Sequence, residues 1–314
     1  MVIDKNQPCL VTGATGLIGR RVVERLCASG HSVLAVGRTP TGFEDSDEIT
    51  YCPLDLHDPI AVTAFFERHK PRQLIHLAWE ATPGTFWQSP ENFRWITASA
   101  HLLDRFVVHG GQRAILAGSC AEYGWGQNPL QEHHSALNPR SYYSAAKAAF
   151  HNLAQVIAQD IDLVWSRVFF PYGPEEDGSK LISHILREIS ADRLPEFKTS
   201  GRAVDFIHLS DVAYCFERLL GAPLTGPVNI CSGVALKPLE IAAVAVRLLN
   251  KPDLSAKLDD QLANVERELT IVGDRQLLDQ VLTQTMPKQK TQMQTRRLLS
   301  MEDGLRSYLS AKAR

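Results

Sequence analysis

Tyr143 and Lys147 stand four residues apart in a stretch whose apolar spacing predicts a helix over residues 141–159. At that spacing the two side chains share one face of the helix, one turn apart. A neighbouring ammonium stabilises a phenolate, so we expect Lys147 to lower the pKa of Tyr143. Ser119 ends a strand predicted upstream, and its hydroxyl can bind the same substrate oxygen. The three residues are therefore predicted to move a proton at a carbonyl or alcohol.

A second candidate site lies near the N-terminus, where three glycines follow a short apolar run. Gly13, Gly16 and Gly19 separate a strand predicted over residues 9–12 from a helix predicted over 16–29. Such glycines let the backbone turn tightly, and the helix N-terminus presents free N–H groups to a pyrophosphate. The spacing is G-x-x-G-x-x-G rather than G-x-G-x-x-G, but its place after the first strand predicts a dinucleotide site. Thr15, Leu17 and Ile18 complete this turn as predicted cofactor contacts.

The residues after the second predicted strand, 32–36, bear on the choice of cofactor. An acidic residue at this point would bind the ribose 2'-hydroxyl of NAD. The chain has Arg38 here, which is suited to pair with a 2'-phosphate, and Arg20 in the first helix could assist it. We therefore expect NADP(H) to be favoured over NAD(H).

The ends of the next two strands supply further predicted cofactor contacts. Asp55 and Leu56 follow the third strand, where they could hold the adenine. Leu77, Ala78 and Trp79 follow the fourth, where they could line the nicotinamide ribose. The carboxyl ends of parallel strands meet at one edge of a sheet, which is where doubly wound folds bind ligands.

Strands and helices alternate as far as residue 170, and the strands are continuously apolar. This pattern predicts an α/β fold with a Rossmann-type, doubly wound parallel sheet covered on both faces. We expect residues 1–170 to form the NADP-binding domain, with residues 203–233 returning to it. Residues 171–202 and 234–314 are predicted to form a smaller, discontinuous C-terminal substrate lobe.

Composition excludes several classes of function. The chain has 314 residues and a formal net charge of -2, which gives no sign of a nucleic-acid or membrane-surface partner. It contains no apolar run of about 18 residues, and no secretory signal is apparent. The six cysteines form no C-x-x-C pair, so we expect reduced thiols and a cytoplasmic protein. His133 and His134 have no matching ligand cluster, so no metal site is predicted.

Six segments together resemble the motifs of one known family: residues 12–19, 119–124, 143–147, 170–174, 205–213 and 229–233. The chain resembles the extended short-chain dehydrogenase/reductase family, and specifically its NAD(P)-dependent nucleotide-sugar epimerases, dehydratases and reductases. The resemblance covers nearly the whole chain and implies a nucleotide-diphosphate sugar as substrate. It also implies a homodimer built on the helices predicted over 92–109 and 141–159. Tyr143, Lys147 and Phe170 join the cofactor contacts on this basis.

The chain departs from the family pattern immediately after Ser119. The family's 4,6-dehydratases carry an acidic pair there, whereas this chain has Cys120 and Ala121. Glu122 comes one place too late and is expected to face elsewhere, which disfavours a dehydratase. A cysteine at the second of these positions serves some epimerase-reductases of the family, but here the cysteine is at the first.

The substrate contacts implied by the resemblance are Thr82, Ser119, Cys120, Tyr143 and Arg202. Arg202 is included because Val204 replaces the family arginine before Asp-Phe, so Arg202 would have to meet the diphosphate or the base. The loop at residues 79–87 adds aromatic surface, which could pack a deoxysugar methyl group or a base, or could simply pack the loop.

These features together predict an NADPH-dependent reductase of a nucleotide-diphosphate 4-keto-6-deoxy sugar, with hydride delivered to C4. The alternative is a nucleotide-sugar 4-epimerase with tightly bound NAD(P), which would use the same residues. A non-catalytic NADP-binding regulator is disfavoured because both Tyr143 and Lys147 are present.

Overall fold

The computed structural model describes residues 7–39, 43, 46–126, 129–284 and 296–312. In chain order, its first half contains β1 (Cys9–Thr12), α1 (Leu17–Ala28), β2 (Val33–Gly37), β3 (Ile49–Pro53), α2 (Pro59–His69), β4 (Gln73–His76), α3 (Glu91–Val108), β5 (Arg113–Ser119), α4 (Tyr142–Ile157) and β6 (Asp162–Val168). Its second half contains β7 (Phe170–Tyr172), α5 (Leu181–Ser190), β8 (Arg202–His208), α6 (Leu209–Gly221), β9 (Gly226–Ile230), β10 (Ala235–Leu236), α7 (Pro238–Leu248), α8 (Pro252–Asn264), β11 (Leu269–Ile271), α9 (Gln276–Thr283) and α10 (Met301–Lys312).

Seven strands form one parallel sheet in the order β3-β2-β1-β4-β5-β6-β9. The strands β1, β2 and β3 follow one another toward one edge of the sheet. The chain then crosses over, and β4 pairs with the other side of β1. The crevice between β1 and β4 is therefore the point at which the strand order reverses, where doubly wound folds bind ligands. The predicted α/β, doubly wound Rossmann-type sheet is confirmed.

Both faces of the sheet are buried, because successive side chains of a strand point to opposite sides. In β1, Val11 enters a core shared with α1, α6 and α9, whereas Leu10 enters a second core shared with α2, α3 and α4. This double burial explains why the strands read as continuous apolar runs.

A second, smaller sheet is built on β8, which pairs with β7 and β11 in parallel and with β10 antiparallel. Next to it, α5, α7, α8 and α10 share a separate apolar core. The smaller C-terminal part expected from the sequence is therefore present, although the predicted residue boundaries of the two units stay a prediction.

Two segments lie elsewhere than expected. Residues 203–233 were predicted to return to the NADP-binding domain, with residues 227–230 as the strand that rejoins the sheet. That strand is β9 of the main sheet, whereas residues 203–208 form most of β8 in the second sheet. The helix α9 lies within residues 234–314, which were expected to form the substrate lobe. It packs instead on α6 and β9 in the core of the main sheet. Its apolar side chains pack on β9, the last strand of the main sheet.

The helix α6 was not among the helices expected from the sequence, although its apolar residues recur at helical spacing, at positions 209, 212, 213, 216, 219 and 220. In the structure it is buried on nearly all sides. Its polar side chains find partners inside the protein instead of facing solvent. Asp211 pairs with Arg296 at 2.6 Å, and Glu217 pairs with Arg25 at 2.6 Å. The amphipathic pattern therefore indicates the helix, whereas the burial of its polar face depends on partners that are distant in sequence.

Candidate active site

The turn from β1 to α1 has the geometry of an anion site. Gly13 adopts a φ of 66°, and a Cβ there would lie 2.7 Å from the backbone nitrogen of Ala78. A Cβ on Gly19 would overlap the carbonyl oxygen of Gly13. Gly16 caps α1 without any side-chain hydrogen bond, so the first N–H groups of the helix stay available to a ligand. The turn therefore fits a dinucleotide pyrophosphate.

The other residues predicted in the turn lie around it. Leu17 and Ile18 begin α1 and are half-buried, and Thr15 is half-buried beside Gly37 at the end of β2. Arg38 follows β2 and is exposed. Its charge acts on the carboxylate of Glu80, whose pKa is lowered first by its hydrogen bonds to Thr82 and then by Arg38.

The ends of β3 and β4 border the same crevice. Asp55 is exposed, and its Oδ1 accepts a hydrogen bond from the backbone of His57 at 3.0 Å, while Leu56 is buried. Leu77 donates its backbone N–H to the carbonyl of Thr12 at 3.2 Å. Ala78 lies against Gly13, so the β4 end and the glycine turn are in direct contact.

Tyr143 lies in the first turn of α4, which is capped by the side chain of Ser141. Its ring is half-buried and meets Phe86 and Trp87 edge-on, with centroids 4.9 Å and 5.5 Å away. Burial raises the pKa of the Tyr143 phenol above its usual value, and its hydrogen bond to Ser119 acts in the opposite direction. The structure thus brings together Ser119 and Tyr143, as predicted from their positions.

The expectation that the pKa of Tyr143 would be lowered is wrong. Desolvation outweighs the hydrogen bond to Ser119, because apolar side chains pack against the ring. Tyr143 therefore keeps its proton at neutral pH, which suits it to donate a proton rather than to remove one.

Lys147 is buried one turn further along α4. Its Nζ donates to the carbonyl of Ala117 at 2.7 Å and lies 3.8 Å from the ring centroid of Trp79. Burial lowers the pKa of Lys147 to about 7, and the charge of Glu122 acts to raise it. Trp79 was predicted to line the nicotinamide ribose, and the structure places it directly beside the candidate lysine.

The sequence pattern placed Glu122 away from the substrate but gave no sign that its side chain binds Ser119. It is fully buried, and its Oε1 accepts the backbone N–H of Ser119 at 2.7 Å. Ser119 and Glu122 form a capping box around the short 3-10 helix Cys120–Glu122. The signal that could have revealed it is the spacing Ser-x-x-Glu, which is typical of such caps. The expectation that Glu122 faces away from the substrate agrees with its burial.

The other predicted substrate contacts, Cys120, Arg202 and Thr82, are linked to Ser119 and Tyr143 through neighbouring residues. Cys120 is buried, and desolvation raises the pKa of its thiol. The exposed Arg202 lies with its Cζ 5.8 Å from the ring of Trp125, whose indole N–H donates to the carbonyl of Cys120 at 3.2 Å. Thr82 is exposed, and its carbonyl accepts the N–H of Phe86 at 3.2 Å.

Phe170, which was predicted to contact the cofactor, lies in the second sheet. It begins β7, pairs with Phe206 of β8 and packs against that ring at 5.9 Å between centroids. Its contact with a cofactor stays a prediction, as do the roles of Thr82, Cys120 and Arg202.

Across the part of the chain that the structure describes, no cluster of three or more His, Cys, Asp or Glu residues could hold a metal ion, and no helix is long and apolar enough to cross a membrane.

A family model described as the NAD dependent epimerase/dehydratase family matches residues 9–231, which include the glycine turn, Ser119, Tyr143 and Lys147. The chain belongs to this family. The predicted resemblance to the extended short-chain dehydrogenase/reductase enzymes is thereby confirmed, and so is the prediction of an NAD(P)-dependent enzyme.

The names of two relatives state a reaction at position 4 of a nucleotide sugar. The chain is 26% identical over 258 residues to the dTDP-6-deoxy-L-talose 4-dehydrogenase (NAD(+)) of Aggregatibacter actinomycetemcomitans, covering 79% of this chain and 92% of the relative. It is 27% identical over 268 residues to the UDP-glucose 4-epimerase of Mycolicibacterium smegmatis, covering 78% of this chain and 83% of the relative.

Solved structures share the fold over nearly the whole chain. The UDP-glucose 4-epimerase of Thermotoga maritima with UDP-glucose superposes with a TM-score of 0.77 at 18% identity, covering 98% of this chain and 100% of that one. The Bordetella bronchiseptica enzyme WbmG, in complex with NAD and UDP, gives a TM-score of 0.77 at 17% identity, covering 98% and 95%.

We predict that Gly19→Ala weakens cofactor binding by this family member about ten- to a hundredfold, since overpacking costs roughly 1–3 kcal/mol. The new methyl group would overlap the Gly13 carbonyl and displace the turn. Fluorescence titration with NADPH and NADH measures the effect. Gly178→Ala is the control, because nothing lies within 4 Å of a Cβ there. Unchanged affinity in Gly19→Ala would contradict the placement of the cofactor at this turn.

Proposed function

We propose that this family member is an NADPH-dependent reductase of a nucleotide-diphosphate 4-keto-6-deoxy sugar. The observation that carries the proposal is the set of side chains after Ser119. Cys120 and Ala121 are buried, and both carboxylate oxygens of Glu122 are engaged by protein donors. The site thus offers a protonated tyrosine but no further free acid or base at the positions where the family's dehydratases carry theirs.

The proposed reaction adds two hydrogens to a ketone. The cofactor, when bound at the glycine turn, supplies the hydride to the carbonyl carbon. Tyr143 donates its proton to the carbonyl oxygen, so the C=O double bond becomes a C–H and an O–H bond. Ser119 donates a hydrogen bond to the same oxygen and stabilises the charge that develops there. Lys147, when protonated, stabilises the phenolate that remains.

The relative from Aggregatibacter actinomycetemcomitans supports the C4 position and the 6-deoxy sugar, since its name states oxidation at C4 of a 6-deoxy sugar. That name also states NAD(+), and WbmG binds NAD. Our preference for NADP therefore depends on Arg38 alone. The 4-epimerases among the relatives keep epimerisation as the alternative.

We expect the purified protein to consume NADPH when given a nucleotide 4-keto-6-deoxy sugar, as followed by the near-ultraviolet absorbance of NADPH. Tyr143→Phe should lower kcat by roughly a hundredfold or more, the usual contribution of a general acid. Tyr142→Phe is the matched control, because that tyrosine is exposed and has no lysine four residues later.

Two results would count against the reductase. If no NADPH is consumed across a panel of nucleotide 4-keto sugars, the proposal fails. If, in addition, denatured protein releases nicotinamide cofactor and the protein interconverts C4 epimers without added cofactor, the enzyme is the 4-epimerase.

The preference for NADPH is tested by Arg38→Gln. Removing a charged hydrogen bond to the 2'-phosphate costs about 1.5–3 kcal/mol, so we expect kcat/KM for NADPH to fall roughly ten- to a hundredfold. The value for NADH should stay nearly constant, because NADH has no phosphate there. Exposed Arg94, which pairs with Glu91 on α3, provides the control variant Arg94→Gln. Equal losses with both cofactors would contradict this role of Arg38.

We also propose a homodimer formed through α3 and α4. The two helices pack side by side and expose large apolar side chains, namely Phe93, Val108, Tyr142, Leu153 and Val156. Exposed apolar surface of this kind marks protein contacts.

We expect Leu153→Asp/Val156→Asp to convert the dimer into a monomer, as measured by size-exclusion chromatography with light scattering. A buried unpaired carboxylate on each partner strongly disfavours association. Ile60→Asp is the control, since Ile60 is 82% exposed but lies on α2. A wild-type protein that is monomeric at micromolar concentration, or a double variant that stays dimeric, would refute the interface.

A further inference from the structure

Glu122 lies directly beneath Ser119 in an environment that is unusual for a carboxylate. It has no solvent exposure, and each of its oxygens accepts hydrogen bonds. Oε1 accepts the backbone N–H of Ser119 at 2.7 Å and the indole N–H of Trp165 at 3.1 Å. Oε2 accepts the Nε–H of Arg167 at 3.0 Å. Glu122 is therefore a buried carboxylate held by donors from the site and from β6.

Its partner Arg167 is equally buried and anchors a wider network. The guanidinium donates to the hydroxyl of Tyr123 at 3.1 Å, and that hydroxyl donates to the side chain of Asn229 in β9 at 2.8 Å. Gly118 makes the approach of β5 to this network feasible, because a Cβ there would lie 2.7 Å from Oε1 of Glu122. A buried ion pair contributes little net stability compared with an apolar replacement, so its presence under Ser119 requires another reason.

Glu122 and Lys147 of α4 bind the same end of β5. The Nζ of Lys147 donates to the carbonyl of Ala117 at 2.7 Å, and Glu122 accepts the N–H of Ser119, two residues later in the strand. Burial disfavours the ammonium form of Lys147, and Glu122 is the charged group that favours it.

Other titratable groups lie near Lys147: His76 on β4, and Tyr143 and His151 one turn to either side on α4. Burial lowers the pKa of His151 to about 4, so this side chain is neutral. His76 of β4 is neutral, because burial lowers its pKa to about 3, and Tyr143 of α4 keeps its proton. Among the described residues around Lys147, the compensating negative charge therefore comes from Glu122.

We propose that Glu122 is a positioning residue for the reaction: its carboxylate holds Ser119 in place and keeps Lys147 cationic. The kinetic part of this inference rests on the proposed reductase function. The protonation of Lys147 does not, because it is a property of the free protein. The two parts can therefore be tested separately.

Two substitutions separate the shape of Glu122 from its charge. Glu122→Gln keeps the length and one acceptor oxygen but removes the charge. Glu122→Asp keeps the charge but withdraws the oxygen from Ser119. Because Glu122→Gln leaves Arg167 buried without its partner, Glu122→Gln/Arg167→Met provides a second variant from which both charges are removed.

The matched control is Glu132→Gln. Glu132 belongs to the same network, since its Oε1 accepts the backbone N–H of Asn229 at 2.8 Å and its carbonyl accepts from Arg167 at 3.3 Å. It makes no hydrogen bond to Ser119 among the described contacts. A general loosening of the network would therefore appear in Glu132→Gln as well, whereas the effect on Lys147 should not.

The first readout is the titration of Lys147 itself, followed by the ¹³Cε chemical shift in lysine-labelled protein. The resonance is assigned by its disappearance in Lys147→Met. In Glu122→Gln we expect the midpoint to fall by about one pH unit, the size that one nearby charge produces at an effective dielectric of about 20. In the double variant the fall should be smaller, because the opposing positive charge of Arg167 is lost as well. Glu122→Asp and Glu132→Gln should titrate close to wild type.

The second readout is the pH profile of kcat with NADPH and the keto sugar. Reduction needs Lys147 charged, so the fall in kcat at rising pH should begin at lower pH in Glu122→Gln than in wild type. In Glu122→Asp the profile should keep its position, while kcat falls because Ser119 is displaced. Melting temperatures show whether each variant is folded, and KM reports on substrate binding.

An unchanged Lys147 midpoint in a folded Glu122→Gln or double variant would overturn the inference, whatever the substrate is. An equal shift in Glu132→Gln would overturn it too, because the effect would then belong to the network as a whole. If wild type consumes no NADPH, the proposed function fails by itself, and the Lys147 titration still decides the role of Glu122.

Discussion

The burial of a lysine ammonium is the constraint on which the candidate site depends. Lys147 is only 3% exposed, and an isolated ammonium in such a place would lose its proton. Three features offset this loss: the carbonyl of Ala117, the face of Trp79 and the charge of Glu122. Each comes from a different part of the chain, so the protonation of Lys147 depends on the integrity of β4, β5 and α4 together.

The parallel sheet makes that convergence feasible. The carboxyl ends of β1, β4 and β5 lie side by side, because these strands are neighbours in the sheet. The glycine turn follows β1, Trp79 follows β4, and Ser119 ends β5. The strand order therefore places a cofactor cradle, an aromatic surface and a hydroxyl within one crevice. The helices on both faces then exclude water from beneath it, which strengthens every electrostatic interaction there.

The burial of Tyr143, Cys120 and Glu122 limits which of these groups can exchange a proton with a substrate. Tyr143 is enclosed by Phe86 and Trp87, so its phenol holds its proton more strongly than a free tyrosine does. The thiol of Cys120 is held neutral by the same effect. The carboxylate of Glu122 is enclosed by its donors. The accessible proton at this site is therefore that of Tyr143, which is consistent with a site that protonates an oxygen.

Much of the architecture follows from local sequence. Glycine spacing after an apolar strand determines the β1–α1 turn, and continuous apolar strands separated by amphipathic helices determine a parallel sheet buried on both faces. The four-residue spacing of Tyr143 and Lys147 places both on one face of α4. Only the tertiary structure decided that α9 covers the main sheet, that α6 is enclosed, and that Glu122 pairs with Arg167. It also decided the direction of the Tyr143 pKa, which the spacing alone predicted wrongly. The reason is that burial and charge pairing depend on residues distant in sequence, whereas turns, periodicity and caps depend on neighbours.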